Sequence, residues 1–389
     1  MRVAFTFIGR KHWIGGYNYL LNLFRVLHEH SRGEVIPILF AGEDASEDDV
    51  RQFQNLSDEP IVRSNLLNRS NRLRRLIKPI LLGKDRRIES LFIKHRIDVV
   101  FENAAYYGWR FRIPALTWIP DLQHRRMPEM FDFASYWRRE LGFLAQVMSG
   151  RTIMVSSESA KKDCEFFYPR SRGRVYAVPF AVMPDKEVDK LDAERIKKQY
   201  NMPDDFFYLP NQFWKHKNHQ VVIDAVRLLK LKGIEVTVAA SGPSLDPRHP
   251  EHYETLKGRV HKGGIDRNFR FIGMVPYTDL LSLICSSVAV INPSLFEGWS
   301  TTVEEAKALK RRLILSDIDV HREQLPGGLF FDPDSPGELA SIMESMLDPK
   351  KLLDITAATF GCESTENLTR KFAENFVKVI SITRQTYMK

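Results

Sequence analysis

The sequence has few of the features that mark special protein classes. Its 389 residues include only three cysteines, Cys164, Cys285 and Cys362, and none belongs to a CxxC pair or a Cys/His cluster. A disulfide framework and a zinc site are therefore not indicated, and a reducing compartment fits. Because low-complexity tracts and repeats of solenoid period are also lacking, we expect a compact globular chain.

Long apolar runs are missing as well. No stretch offers eighteen apolar residues in succession, and the first residues, "MRVAFTFIG", run into a strand-like segment without the charged and apolar regions of a signal peptide. We therefore expect a cytoplasmic protein that is soluble or attached peripherally to the inner face of the cytoplasmic membrane.

Positive charge is present in excess, because 57 Lys and Arg face 49 Asp and Glu and give a net charge of +8. Such a balance favours a polyanionic partner. Residues 63–96 contain eleven Lys and Arg against Asp85 and Glu89, with leucines and isoleucines at helical spacing. The segment predicts a basic amphipathic helix for an anionic membrane surface, with an ordinary solvated helix face as the alternative. Nucleic acid is not favoured, because no RNP, zinc-finger or KH signature is present.

Short β-rich apolar runs alternate with amphipathic helical patterns, and the alternation restarts after a polar stretch at residues 183–205. This arrangement is typical of parallel sheets covered by helices. We therefore predict an α/β fold of two Rossmann-like, doubly wound domains facing a cleft, residues 1–187 and 188–365, with a linker near residues 185–195. The predicted strands lie in residues 2–9, 34–42, 98–103, 115–121, 152–157 and 174–180, and then in 206–212, 235–242, 269–276, 288–294, 312–317 and 329–333.

The stretch "NPSLFEGWSTTVEEA", residues 292–306, follows one of these strands. Gly298 marks a turn, and a helix is predicted to begin at Ser300 or Thr301, with Thr301 and Glu304 forming a capping box. The start of such a helix is an anion site for a phosphate or diphosphate, because free amides meet the positive end of the helix dipole there. The residues that supply amides and hydroxyls to it are Ser300, Thr301 and Thr302.

Two carboxylates flank this anion site, Glu297 in the turn and Glu305 one turn into the helix. A carboxylate beside a phosphate is unfavourable unless it accepts hydrogen bonds from neutral hydroxyls, such as those of a sugar or a ribose. The pair therefore suits a diphosphate with a sugar at one end and a nucleoside at the other. The spacing of the two glutamates arises easily by chance, so its weight depends on the strand, turn and helix around it.

With these motifs the chain resembles the retaining glycosyltransferases of family 4, which have the GT-B fold. "NPSLFEGWSTTVEEAKAL" is followed by "RRLILSDIDVHREQ", where that family has its next strand and turn. Residues 211–225, "NQFWKHKNHQVVIDA", are similar to the start of the family's donor domain, and residues 152–167, "TIMVSSESAKKDCEFF", to its last strand and helix before the linker. The resemblance covers most of the chain and is more specific in the second half. It implies that the final helical pattern, residues 366–389, packs back on the first domain.

The resemblance implies roles for residues at matching positions. Glu305 holds the ribose hydroxyls, Glu297 and the amides after it, from Gly298 onward, hold the donor sugar, and Lys217 neutralises the diphosphate as a compact cation. Without the resemblance, Lys217 is an ordinary surface lysine.

One departure from the family concerns the charge on the leaving group. The family commonly has an arginine several residues before this lysine, whereas residues 211–214 are "NQFW" here. Lys215, Gln212 or the helix dipole is left to meet that charge, and the sequence does not decide among them. Trp214 and Phe213 are as well suited to packing as to stacking on a base.

Gly15 and Gly16 lie just before a predicted helix at residues 17–28. Without side chains they let a diphosphate approach the backbone, although a glycine pair is often only a turn. The likeness to the family's glycine loop favours the binding role. The G-x-G-x-x-G spacing is missing, which argues against an NAD enzyme.

Asp121 and His124 follow the strand "ALTWIPD". Related family 4 enzymes frequently have a His-Asp pair at this place, whereas here Pro120 precedes Asp121 and the histidine lies three residues downstream. We expect Asp121 and His124 together to supply the group that faces the acceptor. An ordinary surface histidine is the alternative for His124.

The implied activity is hexosyl transfer with retention, from a nucleotide-diphosphate sugar to a glycan or lipid-linked glycan acceptor in cell-surface polysaccharide synthesis. Stabilising the leaving diphosphate matters more here than a strong base. We expect no cofactor and no metal, since the D-x-D patterns at residues 317–319 and 332–334 follow the proposed donor helix and are most simply loops.

Two other classes of protein remain open at the level of sequence. One is a GT-B-like sugar-nucleotide epimerase or hydrolase, which would turn over a donor without an acceptor. The other is a non-catalytic protein that binds a membrane or a partner. The sequence leaves the donor base and sugar, the acceptor, the linkage and the oligomeric state undetermined.

Overall fold

The computed structural model describes residues 1–11, 13–103, 105–183, 193–348 and 363–388. The chain divides into two compact units. The first comprises Met1–Arg126, Phe133–Met183 and Glu366–Lys389, and the second comprises Met127–Asp132 and Pro184–Thr365. Most of the predicted linker lies outside the described residues, and so does Cys362.

The first unit is built on a sheet of seven parallel strands. Their order is β3-β2-β1-β4-β5-β6-β7, so the chain reverses direction across the sheet between β1 and β4. The strands are β1 (Arg2–Thr6), β2 (Ile36–Ala41), β3 (Val62–Arg63), β4 (Val99–Asn103), β5 (Ala115–Trp118), β6 (Thr152–Val155) and β7 (Val175–Ala177). Strands β4, β5 and β6 are buried along their whole length, because helices cover both faces of a doubly wound sheet.

Seven helices connect these strands within the described residues. They are α1 (Ile14–His30), α2 (Glu47–Arg51), α3 (Arg72–Leu81), α4 (Arg86–Lys94), α5 (Gln123–Arg126), α6 (Phe133–Met148) and α7 (Glu158–Phe167). None of the helices in the described part of the chain is long and apolar enough to cross a membrane.

The second unit repeats the plan with six parallel strands in the order β10-β9-β8-β11-β12-β13. Its strands are β8 (Phe207–Leu209), β9 (Val238–Ser241), β10 (Phe269–Gly273), β11 (Ala289–Asn292), β12 (Leu313–Ser316) and β13 (Leu329–Phe331). Its helices are α8 (Ala193–Gln199), α9 (His219–Leu231), α10 (His252–Lys262), α11 (Tyr277–Ser286), α12 (Thr301–Ala308), α13 (Asp319–Gln324) and α14 (Pro336–Met346). The prediction of two doubly wound α/β units is confirmed.

The last helix, α15 (Thr365–Met388), contributes to the core of the first unit. The ring of Phe376 contacts those of Phe5 and Phe101 on strands β1 and β4. Near its start, the Thr369 hydroxyl lies 2.9 Å from His30 Nε2 at the end of α1. These contacts give the final helical pattern a packing role on the first sheet.

The single basic helix predicted within residues 63–96 is wrong. Gly83, whose φ is +77°, follows the end of α3, and the chain resumes as α4 after Asp85. The Asp85 carboxylate accepts a hydrogen bond from the Arg87 amide at 3.0 Å and so caps α4. A left-handed glycine followed by a new cap divides the segment into two helices.

Candidate active site

The predicted donor-site residues of the second unit lie where its strand order reverses, after the carboxyl ends of β8 and β11. In doubly wound sheets this reversal leaves a crevice where ligands bind. The backbone joins the two loops directly, because the Leu295 amide donates to the His216 carbonyl at 2.8 Å. Asn218, the residue after Lys217, has φ +52°, a left-handed backbone conformation that asparagine tolerates. These features bring Lys217 beside the loop that carries Glu297.

Lys217 and Glu297 form an ion pair. The Lys217 Nζ lies 2.6 Å from Glu297 Oε1, and the Ser294 hydroxyl lies 2.7 Å from the same oxygen. Burial acts to raise the pKa of Glu297, but the Lys217 ammonium and these hydrogen bonds together hold that pKa below its ordinary value. An ionised carboxylate and a cation therefore occupy the place that the sequence assigned to sugar and diphosphate.

Ser300 caps helix α12. Its Oγ accepts a hydrogen bond from the Val303 amide at 3.4 Å, and Asn292 Nδ2 donates to the same oxygen at 2.7 Å. The predicted Thr301 cap is therefore wrong, and Thr301 is the first residue of the helix. The next residue, Thr302, lies with its hydroxyl 3.5 Å from the Pro210 carbonyl after β8.

The predicted capping box fails because the cap is Ser300, which puts Val303 and not Glu304 at the third helical position. The Ser300 amide donates instead to Gln324 Oε1 at 3.0 Å. Glu304 is buried and instead accepts hydrogen bonds from Lys307 Nζ at 2.9 Å and from Gln324 Nε2 at 3.0 Å. Helix α13, which carries Gln324, thus holds the start of α12 in position.

Glu305 is the second carboxylate of this site and, unlike Glu297, its pKa is not lowered by a cation of the described residues. Burial raises the pKa of Glu305 to about 7, and a hydrogen bond from Tyr277 only partly opposes that rise. Its charge consequently changes close to neutral pH. A hydroxyl donor that arrived with a ligand would favour the ionised form.

Three buried histidines surround the Lys217 segment, namely His216, His219 and His321. Burial lowers the pKa of each, to about 3 for His219, so all three are neutral at pH 7. His321 Nδ1 lies 2.9 Å from the Ser316 carbonyl, whereas its buried Nε2 has no hydrogen-bond partner among the described residues. Neutral imidazoles leave Lys217 as the cation nearest to Glu297 in this network.

The segment that replaces the family arginine is held against the sheet by a glycine. Gly242 has φ +149°, and a Cβ there would lie 2.5 Å from the Asn211 carbonyl oxygen, so no larger residue fits without a shift. Gln212 follows Asn211 and is half-buried, while Lys215 is exposed. Both therefore stay candidates for the missing charge.

Sequence reasoning missed Arg248. Its guanidinium lies 5.0 Å from the ring centroid of Trp214, and its charge contributes to the lowered pKa of His216. Arg248 Nε also lies 3.4 Å from the buried Asp246 carboxylate. The signal was faint, because Arg248 is more than thirty positions from the lysine loop in an otherwise ordinary turn. A cation at this point is a further candidate for the role of the missing arginine.

In the first unit Gly15 and Gly16 lie inside the first turn of α1 and not in a loop before it, which corrects the predicted helix start at residue 17. A Cβ on Gly16 would lie 2.4 Å from the indole of Trp13. Trp13 itself stacks on Trp118 with ring centroids 5.4 Å apart. Gly16 therefore has a packing role here, and its role in binding a diphosphate stays a prediction.

Asp121 and His124 differ in accessibility. Asp121 is partly exposed, and its Oδ1 accepts a hydrogen bond from Arg139 Nη2 at 2.6 Å. His124 is fully buried, with Nε2 3.2 Å from Glu140 Oε2, and burial is the main cause that lowers its pKa. Glu140 and the surrounding side chains enclose His124, so Asp121 is the more accessible of the two residues. The catalytic assignments stay predictions.

Among the described residues no group of three His, Cys, Asp or Glu side chains is arranged to hold a metal ion. Of the two D-x-D patterns, the first contains Asp317, which pairs with Arg322, and Asp319, which begins α13. In the second, Asp332 Oδ1 accepts the Asp334 amide at 2.9 Å within a turn. The absence of a metal requirement stays a prediction.

The second unit is similar to a known protein family. Residues 192–358 match the model of a family described as glycosyl transferases group 1. No curated protein matches the chain.

Solved structures match over nearly the whole chain. A glycosyltransferase from Rickettsia africae ESF-5 has a TM-score of 0.65 at 15% identity, with 100% of this chain and 98% of that one covered. Anabaena Alr3699/HepE in complex with UDP and glucose has a TM-score of 0.64 at 13% identity, covering 99% and 98%. WaaG, a glycosyltransferase involved in lipopolysaccharide biosynthesis, has a TM-score of 0.56 at 11% identity, covering 100% and 97%. The chain therefore has the GT-B fold of these glycosyltransferases, and its residues 192–358 match the glycosyl transferases group 1 family.

Proposed function

We propose that this protein is a retaining, metal-independent glycosyltransferase. It moves a hexose or deoxyhexose from a nucleotide-diphosphate sugar to a glycan or lipid-linked glycan in cell-surface polysaccharide synthesis. The observation that carries the proposal is the Lys217–Glu297 ion pair at the strand reversal of the second sheet. It lies within residues 192–358, the segment that matches the glycosyl transferases group 1 model.

The proposed donor site uses each group for one part of the ligand. Lys217 and the amides at the start of α12 meet the negative charge of the diphosphate, as a helix N-terminus and a compact cation do in general. Glu297 accepts hydrogen bonds from the hydroxyls of the sugar, and Glu305 accepts them from the hydroxyls of the ribose. Arg248 or Lys215, as a cation, or Gln212, as a neutral hydrogen-bond donor, takes the place of the missing arginine beside the diphosphate.

The proposed transfer forms one bond and breaks one bond at the anomeric carbon. The acceptor oxygen bonds to that carbon on the face from which the diphosphate departs, and the electron pair of the broken carbon–oxygen bond stays with the diphosphate. The acceptor proton passes to the diphosphate oxygen, so no strong protein base is required. The negative charge on the diphosphate is larger in the transition state than in the ground state. Lys217 therefore stabilises the transition state more and lowers the barrier.

The proposed cellular role has two supports. The matching fold of WaaG, which is involved in lipopolysaccharide biosynthesis, favours a cell-surface acceptor. Basic helices α3 and α4, within residues 63–96, favour attachment to an anionic membrane at the cytoplasmic face. UDP is the first nucleotide to test, because HepE was solved with UDP and glucose.

The proposal predicts stabilisation by one nucleotide. At a ligand concentration a hundredfold above Kd, binding stabilises the folded protein by about 2.7 kcal/mol. We expect this shift in thermal unfolding with one of UDP, GDP, dTDP or ADP or its sugar conjugate. Glu305→Ala should abolish it, whereas Glu254→Ala, which removes an exposed carboxylate of α10, should leave it intact. No shift with any nucleotide would favour a non-catalytic binding protein.

Transfer should continue when divalent ions are removed. The proposed charge stabilisation uses only Lys217, backbone amides and the helix dipole, so an excess of EDTA is expected to leave the turnover rate unchanged. Product formation is measured by chromatography with and without EDTA. A loss that Mg²⁺ or Mn²⁺ restores would contradict metal independence, and donor turnover without an acceptor would indicate a hydrolase or epimerase.

A further inference from the structure

Helix α6 presents a continuous apolar stripe to solvent. Its members recur every three or four residues, the spacing of one helix face, and all are exposed, Phe133 by 81% and Leu141 by 58%. The stripe consists of Phe133, Trp137, Leu141, Leu144 and Met148. Five exposed apolar side chains along one face of a sixteen-residue helix mark an interaction surface.

Helix α3 has the same unusual orientation. Of its ten residues only Pro79 is buried, while its leucines and isoleucines face water, Leu81 by 74%. The exposed members are Leu73, Leu76, Ile77, Ile80 and Leu81. Two helices of one unit thus expose the side chains that helices ordinarily turn toward a core.

The loop at residues 105–112, between β4 and β5, contacts both α6 and the chain just after α3. Gln146 Nε2, on the last turn of α6, donates to the Ala105 carbonyl at 3.1 Å. At the other end, the Arg110 amide donates to the carbonyl of Gly83, just after α3, at 2.9 Å. Trp109 lies between them with 60% of its surface exposed. A groove of about 1000 Å³ there combines Leu81, Leu82 and Trp109 with seven arginines and lysines.

The exposed charges on these helices have one sign, although exposed Asp132 lies directly before α6. The acidic residues of α3, α4, α6 and the α3–α4 junction are Asp85, Glu89 and Glu140, and all three are buried. Lys84 pairs with Glu89 at 2.5 Å, and Arg125 pairs with Glu140. The exposed charged groups on the same elements are cations, including Arg72, Arg86, Arg87 and Arg138.

We propose that the first unit docks on an anionic lipid bilayer through α6, Trp109 and α3, with the α6 stripe inserted at the level of the headgroups. Amphipathic helices with exposed arginines and apolar aromatic faces lie in this interface, and tryptophan is enriched there. A second copy of the chain is a poorer occupant, because two equally basic rims of a protein with net charge +8 would repel each other.

The opposite face of α6 reaches the predicted acceptor residues. Arg139 bonds to Asp121, and Glu140 contacts His124. An α-helix with its side chains is about 10 Å across, so a docked bilayer would lie about that far from Asp121. This consequence, which makes the acceptor lipid-linked, rests on the proposed glycosyl transfer. Bilayer docking itself does not, and it assigns a surface to the membrane attachment proposed above.

The test measures binding of the full chain to vesicles without nucleotide or acceptor. Vesicles of phosphatidylcholine alone are compared by co-sedimentation with vesicles that also contain phosphatidylglycerol. We expect binding to the anionic vesicles only, weakened by salt. Trp137→Gln with Leu141→Gln should lower that binding about tenfold or more, because two apolar side chains no longer leave water.

The matched control is Leu228→Gln with Leu231→Gln, two exposed leucines on α9 of the second unit. It should bind as the wild type does. Circular dichroism verifies folding of both variants, and Leu141→Gln alone serves if the pair does not fold. Equal binding of the α6 variant and wild type, or no wild-type binding to anionic vesicles, would overturn the proposal. So would a wild-type dimer, seen by light scattering, that the α6 variant dissociates. None of these results alters the nucleotide-dependent thermal shift, so bilayer docking and the proposed glycosyl transfer fail separately.

Discussion

Replacing Lys217 with methionine is expected to lower the turnover number of glycosyl transfer by about 10²–10³-fold, the usual effect of removing one group that stabilises charge in a transition state. Methionine keeps the length of the side chain and removes its cation. Because the diphosphate gains negative charge as the anomeric bond breaks, Lys217 acts more strongly in the transition state than in the bound donor. We therefore expect kcat to fall more than the donor affinity does.

The same substitution also separates catalysis from stability. Removing the Lys217 cation leaves the largely buried Glu297 carboxylate without its ion-pair partner, and breaking a buried pair costs about 3 kcal/mol or more. The lowered pKa of Glu297 contributes stability that is present above the unfolded value and is lost as the pH falls. Lys217→Met should remove that contribution. Adding Glu297→Gln should restore thermal stability, since no carboxylate is then stranded, but should not restore turnover.

Two controls make this prediction specific. Lys215→Met removes an exposed cation from the neighbouring position and should have a much smaller effect on kcat unless Lys215 meets the charge of the missing arginine. Lys217→Arg keeps the charge but changes its geometry and should be intermediate. Turnover of Lys217→Met near the wild-type rate would sink the assignment of Lys217 as the group that stabilises the leaving diphosphate.

The fold was predictable because the central strands of both sheets are buried on both faces. Segments such as "DVVFEN" and "VAVINPS" contain short runs of consecutive apolar residues, as a parallel sheet covered by helices requires. Strand β3 was missed, since two residues, Val62 and Arg63, carry no period. The division of the basic segment at Gly83 was missed for a related reason. Its leucines keep helical spacing through the break, so periodicity alone did not show where the helix ends.

The candidate site was predictable only in its residue types. The identity of Lys217 and Glu297 followed from a family resemblance, but their ion pair depends on the backbone bond between residues 295 and 216, far apart in sequence. Gln324, which takes the place of Glu304 at the helix start, comes from another helix. The enclosure of His124 likewise depends on Glu140, on a separate helix. Contacts of this kind leave no local pattern in a single sequence.

Nucleotide affinity is expected to rise about tenfold between pH 6 and pH 8, because a group of pKa about 7 goes from roughly one tenth to nine tenths ionised over that range. The proposed ribose hydroxyls donate to the ionised carboxylate of Glu305, so only that form binds well. Calorimetric titration with the nucleotide found by thermal shift measures the affinity. Glu305→Gln should bind weakly and lose this dependence on pH, apart from titration of the phosphates, which both proteins share.

The stability of the ligand-free protein should depend on Glu305 in the opposite sense. The folded pKa of about 7 lies above the ordinary glutamate value of 4.5, so Glu305 contributes stability that is fully present below pH 4.5 and is lost as the pH rises through 7. Buried His216, His219 and His321, whose pKa values are lowered, act the other way as the pH rises. The difference between wild type and Glu305→Gln isolates the glutamate. If that difference in stability does not change from pH 5 to pH 8, burial does not hold the Glu305 carboxylate in its neutral form. The proposal that Glu305 is ionised on ligand binding and then accepts the ribose hydroxyls would then be wrong.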